Sequence, residues 1–229
     1  MNLLFIGLAL CFFWIIVAEL KVTARFSDLF YLKSTLTQRD SGNAAVIGKY
    51  AAQAENIITD NECRSDVIDA GLTFVMRDLD LQDSVERYDD WAAAMTRADR
   101  YVTHALSCSP ANGDLWARLA MIRQASSENS EQLSALMSQS ALLAPSEMYV
   151  LRARFFVWRK ATAATLDLST YTLDRDIRTV LNYAEPNDIT DVLGNAGENL
   201  KPHIVAAAKF IPAGRLETLR KLHIDPAML

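Results

Sequence analysis

The amino-terminal segment of the chain is a long apolar run. The first 18 residues carry no charged side chain, and every residue from Leu3 to Ala18 is apolar or glycine. Such a run is hard to bury in a globular domain, so it indicates either a secretory signal or a single membrane-spanning helix. As a helix the run measures about 24 Å, and it crosses a hydrocarbon core of ~30 Å only if Leu20 joins it and Lys21 extends its ammonium group toward the headgroups. We predict a retained anchor over residues 1–20. The side chains expected to face lipid are Leu3, Leu4, Phe5, Phe12, Phe13, Trp14, Ile15 and Ile16.

The residues that flank the run bear on topology. Lys21, Arg25, Lys33 and Arg39 follow it and no basic side chain precedes it, so the positive-inside rule favours a cytoplasmic domain. The small residues at 22–24 also permit cleavage after residue 24, which is the alternative to a retained anchor.

The cysteines favour the opposite side of the membrane. Cys11 lies inside the apolar run, which leaves Cys63 and Cys108 in the polar part of the chain. Apolar stripes predict helices over Arg64–Asp80 and Ser84–Ser107, and the short link between them makes the pair antiparallel. That hairpin brings both cysteines to one end, where a disulfide would close a loop of about 45 residues. The alternative is two small buried thiols. Because persistent disulfides need an oxidising compartment, we expect a single-pass protein of the bacterial inner membrane with a periplasmic domain, and a cytoplasmic domain is the alternative.

The remaining chain predicts an all-α fold. Apolar residues recur at helical spacing, for example over Ala44–Thr59, and no segment shows sustained period-two alternation. The formal net charge is −5, from 23 basic and 28 acidic residues, with no long run of lysine or arginine. Nucleic acid is therefore excluded as an expected partner.

An internal similarity links two segments of the chain. Pro110 and Pro145 each follow a helix end, and each is followed by a helix that opens with an aromatic residue four positions before an alanine. The aromatic residues are Trp116 and Tyr149, and the two prolines lie 35 residues apart. This pattern resembles the tetratricopeptide repeat, which implies an array of antiparallel helix pairs without specifying a function.

Residues Cys108 to Ala120 carry a second resemblance. The pattern Cys-x-Pro-x-x-Gly-x-x-Trp-x-x-Leu-Ala, behind a membrane anchor, resembles small envelope proteins of proteobacteria, some of them found with polysaccharide-assembly systems. The resemblance implies an accessory subunit rather than the glycosyl-transferring enzyme. We therefore predict four segments: the anchor over 1–20, an amphipathic stalk over 21–40, repeats over 41–165 and capping helices over 166–229.

One predicted helix, Met148–Lys160, is apolar around nearly its whole circumference. Either it is a central helix covered by neighbours on several sides, or part of it docks a partner, since aromatic residues and arginine dominate interface energies. The residues expected to bind a partner are Tyr149, Arg152, Arg154, Phe155, Phe156 and Trp158. A second basic face is possible at Arg215, Arg220 and Lys221, although a solvated cap is the more common structure.

Catalysis is the least supported function. The three histidines are not at metal-ligand spacing, and the sequence contains neither a glycine-rich phosphate loop nor a nucleophile elbow. We expect no catalytic, cofactor-binding or metal-binding residues. Two functions remain: a membrane-tethered adaptor or scaffold that binds another envelope protein, and a permanent structural subunit of a larger integral membrane complex.

Overall fold

The computed structural model describes residues 2–38, 43–194, 196–224 and 226, and within them the protein is all-helical, as predicted. The helices are α1 (Asn2–Arg25), α2 (Ser27–Gln38), α3 (Ala44–Gln53), α4 (Glu55–Thr59), α5 (Ser65–Asp80), α6 (Tyr88–Cys108), α7 (Gly113–Ser126), α8 (Ser130–Leu143), α9 (Met148–Trp158), α10 (Ala163–Leu168), α11 (Thr170–Tyr183), α12 (Pro186–Leu193), α13 (Lys201–Ala208) and α14 (Ala213–Lys221). They form two compact units, residues 1–101 and 102–229, and the division falls within α6.

Two helices differ most from the sequence-based prediction. The stretch predicted as one helix over Ala44–Thr59 is interrupted at Ala54, which ends α3 and precedes α4. Helix α6 begins at Tyr88 rather than at Ser84, because the Asp83 carboxylate accepts hydrogen bonds from the amides of residues 85 and 86 and holds a separate turn before the helix.

In the first unit, α2 and α3 both pack against α5. The segment predicted as a stalk therefore contributes to the core: Phe26 and Leu29 are buried. The hydroxyl of Tyr101 donates a 2.9 Å hydrogen bond to the carbonyl of Ile68, and burial raises the pKa of this phenol. Gly71 makes room for the ring, since a Cβ at this position would lie 2.2 Å from the Tyr101 hydroxyl oxygen.

In the second unit the helices stack as successive pairs. Helix α7 packs against α8 and α9, and α9 against α12, while α8 packs against α10 and α11, and α11 against α13. One layer therefore contains α7, α9 and α12, and the other contains α8, α10, α11 and α13. Side-chain hydrogen bonds join residues about one helix pair apart: Gln124 to the carbonyl of Val157, Ser138 to Thr172, and Arg215 to the carbonyl of Leu181. Their separations of 33 or 34 residues are close to the 35 residues between Pro110 and Pro145.

Candidate interaction surface

Helix α9 lies in the middle of the first layer of the second unit, with α7, α11 and α12 as neighbours. It begins after Glu147, whose carbonyl accepts the amides of Val150 and Leu151, and it ends at Trp158. Its buried side chains are Val150, Leu151, Arg154, Phe155, Val157 and Trp158. Most apolar side chains of α9 are therefore explained by neighbouring helices that cover it on several sides, which was the first of the two alternatives.

Arg154 forms the centre of a buried polar network. Its Nε and Nη2 atoms each donate a 2.8 Å hydrogen bond to a different oxygen of Asp176, and Nη1 donates to the carbonyl of Ala144 at 3.0 Å. The indole Nε1 of Trp158 donates to the same carboxylate at 3.0 Å. Arg154 is 0 % exposed and Asp176 1 % exposed. The network therefore ties α9 to α11 and to the end of α8 through a paired charge and its hydrogen bonds.

This burial corrects half of the expected partner-binding set. Arg154, Phe155 and Trp158 have no exposed surface, because neighbouring helices cover that side of α9. These three side chains belong to the core and present nothing to a partner. Sequence analysis missed the role of Arg154 because its carboxylate partner lies 22 residues further along the chain, on another helix.

The other three residues of the set are exposed, and together with one further residue they form a narrow strip that we call the α9 edge: Tyr149, Arg152, Phe156 and Lys160. Tyr149 is 63 % exposed and Phe156 44 % exposed. The ammonium of Lys160 lies 4.0 Å from the centre of the Phe156 ring, a cation–π contact that the sequence analysis missed. Residues spaced by three and four positions face the same side of a helix, so the strip presents its aromatic rings and cations together.

The guanidinium of Arg152 is held beside α12. It forms an ion pair with Asp188, and its Nη2 lies 3.8 Å from a carboxylate oxygen of Asp191. Arg159, which follows α9, donates to the carbonyls of Asp191 and Val192 at 2.8 and 2.7 Å and so caps the end of α12. Of the α9 edge, the Arg152 side chain is thus attached to α12 by a charged hydrogen bond, which restricts the motion of that side chain.

The half-buried carboxylate of Glu128 lies in the loop between α7 and α8 and accepts hydrogen bonds from the start of α10. Burial raises the pKa of Glu128, but hydrogen bonds from the hydroxyls of Thr165 and Thr162 and from the Thr162 amide outweigh this effect, so the pKa lies below its ordinary value. Glu128 thereby fixes the start of α10 to the preceding helix pair.

Of the three basic residues predicted near the carboxyl end, Arg215 stabilises the fold. Arg215 donates to the carbonyls of Leu181 and Ala184 at 2.9 and 2.7 Å, which caps α11. Arg220 and Lys221 are exposed, and Lys221 pairs with Glu217 at 2.9 Å.

The predicted disulfide is confirmed: Cys63 and Cys108 are disulfide-bonded, whereas Cys11 is a free, exposed thiol. The Nε2 atom of His104 lies 3.8 Å from the Cys108 sulfur, one helical turn away on α6.

Helix α1 is long and apolar enough to cross a membrane over Phe5–Arg25. The predicted lipid-facing side chains of Phe5, Phe12, Phe13, Trp14, Ile15 and Ile16 are exposed, whereas the side chains of Leu3 and Leu4 lie outside the described ones. Exposed apolar groups of this number are unusual in a water-soluble surface.

Polar contacts attach the end of α1 to the rest of the first unit. The Nη1 atom of Arg64 donates to the Thr23 hydroxyl at 2.9 Å and to the Glu19 carboxylate at 3.1 Å, and Arg25 pairs with Asp60 at 2.6 Å. Hydrogen bonding with Asp66 raises the pKa of Arg64.

The α9 edge thus exposes two aromatic rings, one of them under the Lys160 ammonium, and the Arg152 guanidinium is paired with a carboxylate of α12. No match to this chain was found among protein-family models, curated proteins or solved structures.

Proposed function

We propose that the protein is a non-enzymatic, membrane-tethered helical-repeat adaptor that holds another envelope protein at the α9 edge. The observation that carries this proposal is the exposure of Tyr149 and Phe156 on a helix whose remaining faces are buried in a stacked array. Aromatic and arginine side chains on a rigid support are typical of the residues that contribute most to protein–protein affinity. The stacked pairs of the second unit also provide an extended surface of the kind that helical-repeat proteins use for binding.

The tether and the compartment form part of the same proposal. The exposed apolar side chains of α1 support anchoring in the membrane, and the Cys63–Cys108 disulfide supports an oxidising compartment, so the domain is assigned to the periplasmic side of a bacterial inner membrane. The basic residues after the anchor favour the cytoplasmic side, which is the alternative. The resemblance of residues 108–120 supports the narrower role of accessory subunit in a polysaccharide-assembly system.

Photo-crosslinking in intact cells tests the binding surface. A photoreactive phenylalanine analogue at position 149 or 156 should give one discrete adduct of reproducible mass, because both positions lie on the α9 edge. Tyr183, which is 82 % exposed on α11, is the matched control position and should not give that adduct. Equal crosslinking from position 183, or the absence of any adduct from both test positions, would contradict the assignment of the partner to the α9 edge.

A permanent structural subunit is the second candidate. It is favoured by further exposed aromatic side chains on the other layer of the second unit, at Tyr171 (76 %) and Phe210 (69 %), since a fixed subunit would cover several faces at once. Extraction in mild detergent separates the two functions. An adaptor should purify alone and monomeric, whereas a fixed subunit should co-purify with its partners at constant stoichiometry.

A further inference from the structure

The turn between α5 and α6 is exposed and strongly acidic. Between residues 80 and 90 every side chain except Gln82 is exposed. The segment, which we call the acidic turn, contains five carboxylates and one cation, Arg87, and therefore has a formal charge of −4. The carboxylates are those of Asp80, Asp83, Glu86, Asp89 and Asp90. Because the whole chain has a net charge of −5, a large share of its excess negative charge is concentrated on this one surface.

Apolar side chains lie among these charges. Val85 is 88 % exposed, the largest exposed fraction of any large apolar side chain that the structure describes, and Tyr88 is 62 % exposed in the first turn of α6. A single exposed apolar residue needs no explanation, but Leu81, at 41 % exposed, adds a third within eight residues. The acidic turn therefore combines charge with contact area.

The acidic turn is held in shape by its own hydrogen bonds. The Asp83 carboxylate accepts from the amides of Glu86 and Val85, at 3.0 and 2.8 Å, and these bonds lower the pKa of Asp83. The Asp83 carbonyl accepts from the Arg87 amide at 3.1 Å. Since the backbone is already ordered, less conformational entropy is lost when Val85 makes a contact.

A hollow of about 380 Å³ adjoins the acidic turn. It is lined on the α3 and α6 sides by small residues, namely Ala44, Ala45, Gly48 and Ala93. Its charged groups are paired: the Asp78 carboxylate lies 2.6 Å from Arg97 Nη1, and the Asp90 carboxylate lies 4.0 Å from Arg87. The hollow therefore supplies room for a side chain, whereas the net negative charge lies on the acidic turn beside it.

We propose that the acidic turn and this hollow form a second docking surface, which takes a lysine- or arginine-rich segment of a protein partner through its charges and an apolar side chain of that segment against Val85. Charge complementarity selects this occupant, because a surface of formal charge −4 repels phosphate-bearing lipids and nucleic acids. This surface is independent of the α9 edge and lies in the first unit.

Peptide binding to the full chain in phosphatidylcholine nanodiscs tests the proposal. The probe is a fluorescent, serine-spaced peptide with several lysines around one leucine, and the comparison probe replaces every lysine by glutamate. The lysine peptide should bind, more weakly as salt increases, and the glutamate peptide should not. Nanodiscs without protein give the background from lipid. Equal binding of the two peptides, or binding equal to that of protein-free nanodiscs, would overturn the proposal.

Charge-reversal variants locate the binding. The double variant Glu86→Lys with Asp89→Lys should raise the Kd for the lysine peptide by about tenfold or more. The double variant Glu131→Lys with Asp167→Lys changes the net charge equally at exposed positions of the second unit and should leave the Kd within about twofold. An equal loss in both variants would show a response to net charge alone and would refute the docking surface. Val85→Ser should also raise the Kd, and an unchanged value would refute the apolar contact. Unaltered circular dichroism confirms that each variant is folded.

Discussion

Removal of the Asp176 carboxylate should destabilise the second unit severely. In Asp176→Ala, Arg154 keeps its hydrogen bond to the Ala144 carbonyl but loses both bonds to the carboxylate, and the Trp158 indole loses its acceptor. The guanidinium is 0 % exposed, so it is left in a buried site without its counter-charge. Breaking one side of a buried ion pair costs about 3–5 kcal/mol, against a typical total stability of ~5–15 kcal/mol.

Urea unfolding of the detergent-solubilised chain, followed by far-ultraviolet circular dichroism, measures this loss. Asp174→Ala is the control on the same helix: its carboxylate is 29 % exposed and pairs with Arg178 at 2.7 Å, so its removal should cost under about 1 kcal/mol. The variant Arg154→Leu with Asp176→Leu should recover more than half of the loss, because no charge then remains buried and unpaired. Equal losses in Asp174→Ala and Asp176→Ala, or a double variant less stable than Asp176→Ala, would refute this reasoning.

Three further outcomes are expected. Gly71→Ala should cost about 1–3 kcal/mol in urea unfolding because its Cβ would overlap the buried tyrosine hydroxyl, whereas Gly214→Ala, with open space around its Cβ, should stabilise α14 by up to ~1 kcal/mol; equal effects would contradict the packing argument. Folding lowers the pKa of Glu128, so the stabilisation from its carboxylate is complete above the ordinary pKa of 4.5 and is lost as the pH falls through the folded pKa. Acid should therefore destabilise the wild type more than Glu128→Gln, and parallel profiles of stability against pH would contradict this. Cys63→Ser should expose the Cys108 thiol to alkylation and lower stability by about 3–4 kcal/mol; two alkylated thiols in unreduced wild-type protein would exclude the disulfide in cells.

The sequence was informative where a signal was local. Apolar residues at helical spacing predicted α5 closely, since a helix that buries one face must repeat its apolar positions every three or four residues. The two cysteines were paired correctly because the hairpin prediction depended on just two adjacent helices. Pro186 begins α12, where its fixed φ angle suits a first turn, so this boundary also has a local cause.

Long-range contacts could not be predicted in this way. Arg154 and Arg152 are two residues apart and chemically identical, yet one is buried against α11 and the other is exposed beside α12. Their difference depends on which carboxylates the tertiary fold brings near, and periodicity within α9 contains no information about those partners. The interruption at Ala54 likewise lacks a glycine or proline signal, so it was missed.

The contacts of Arg64 and Arg25 hold the end of α1 against the other helices of the first unit. Only Phe26 separates α1 from α2, and it is buried, so no long linker lies between α1 and the rest of the first unit. Under the proposed membrane anchoring, the first unit would therefore stay next to the lipid. The acidic turn, which belongs to this unit, would then lie near the membrane surface. That placement would raise its effective concentration toward membrane-bound partners, whereas soluble proteins would gain no such advantage.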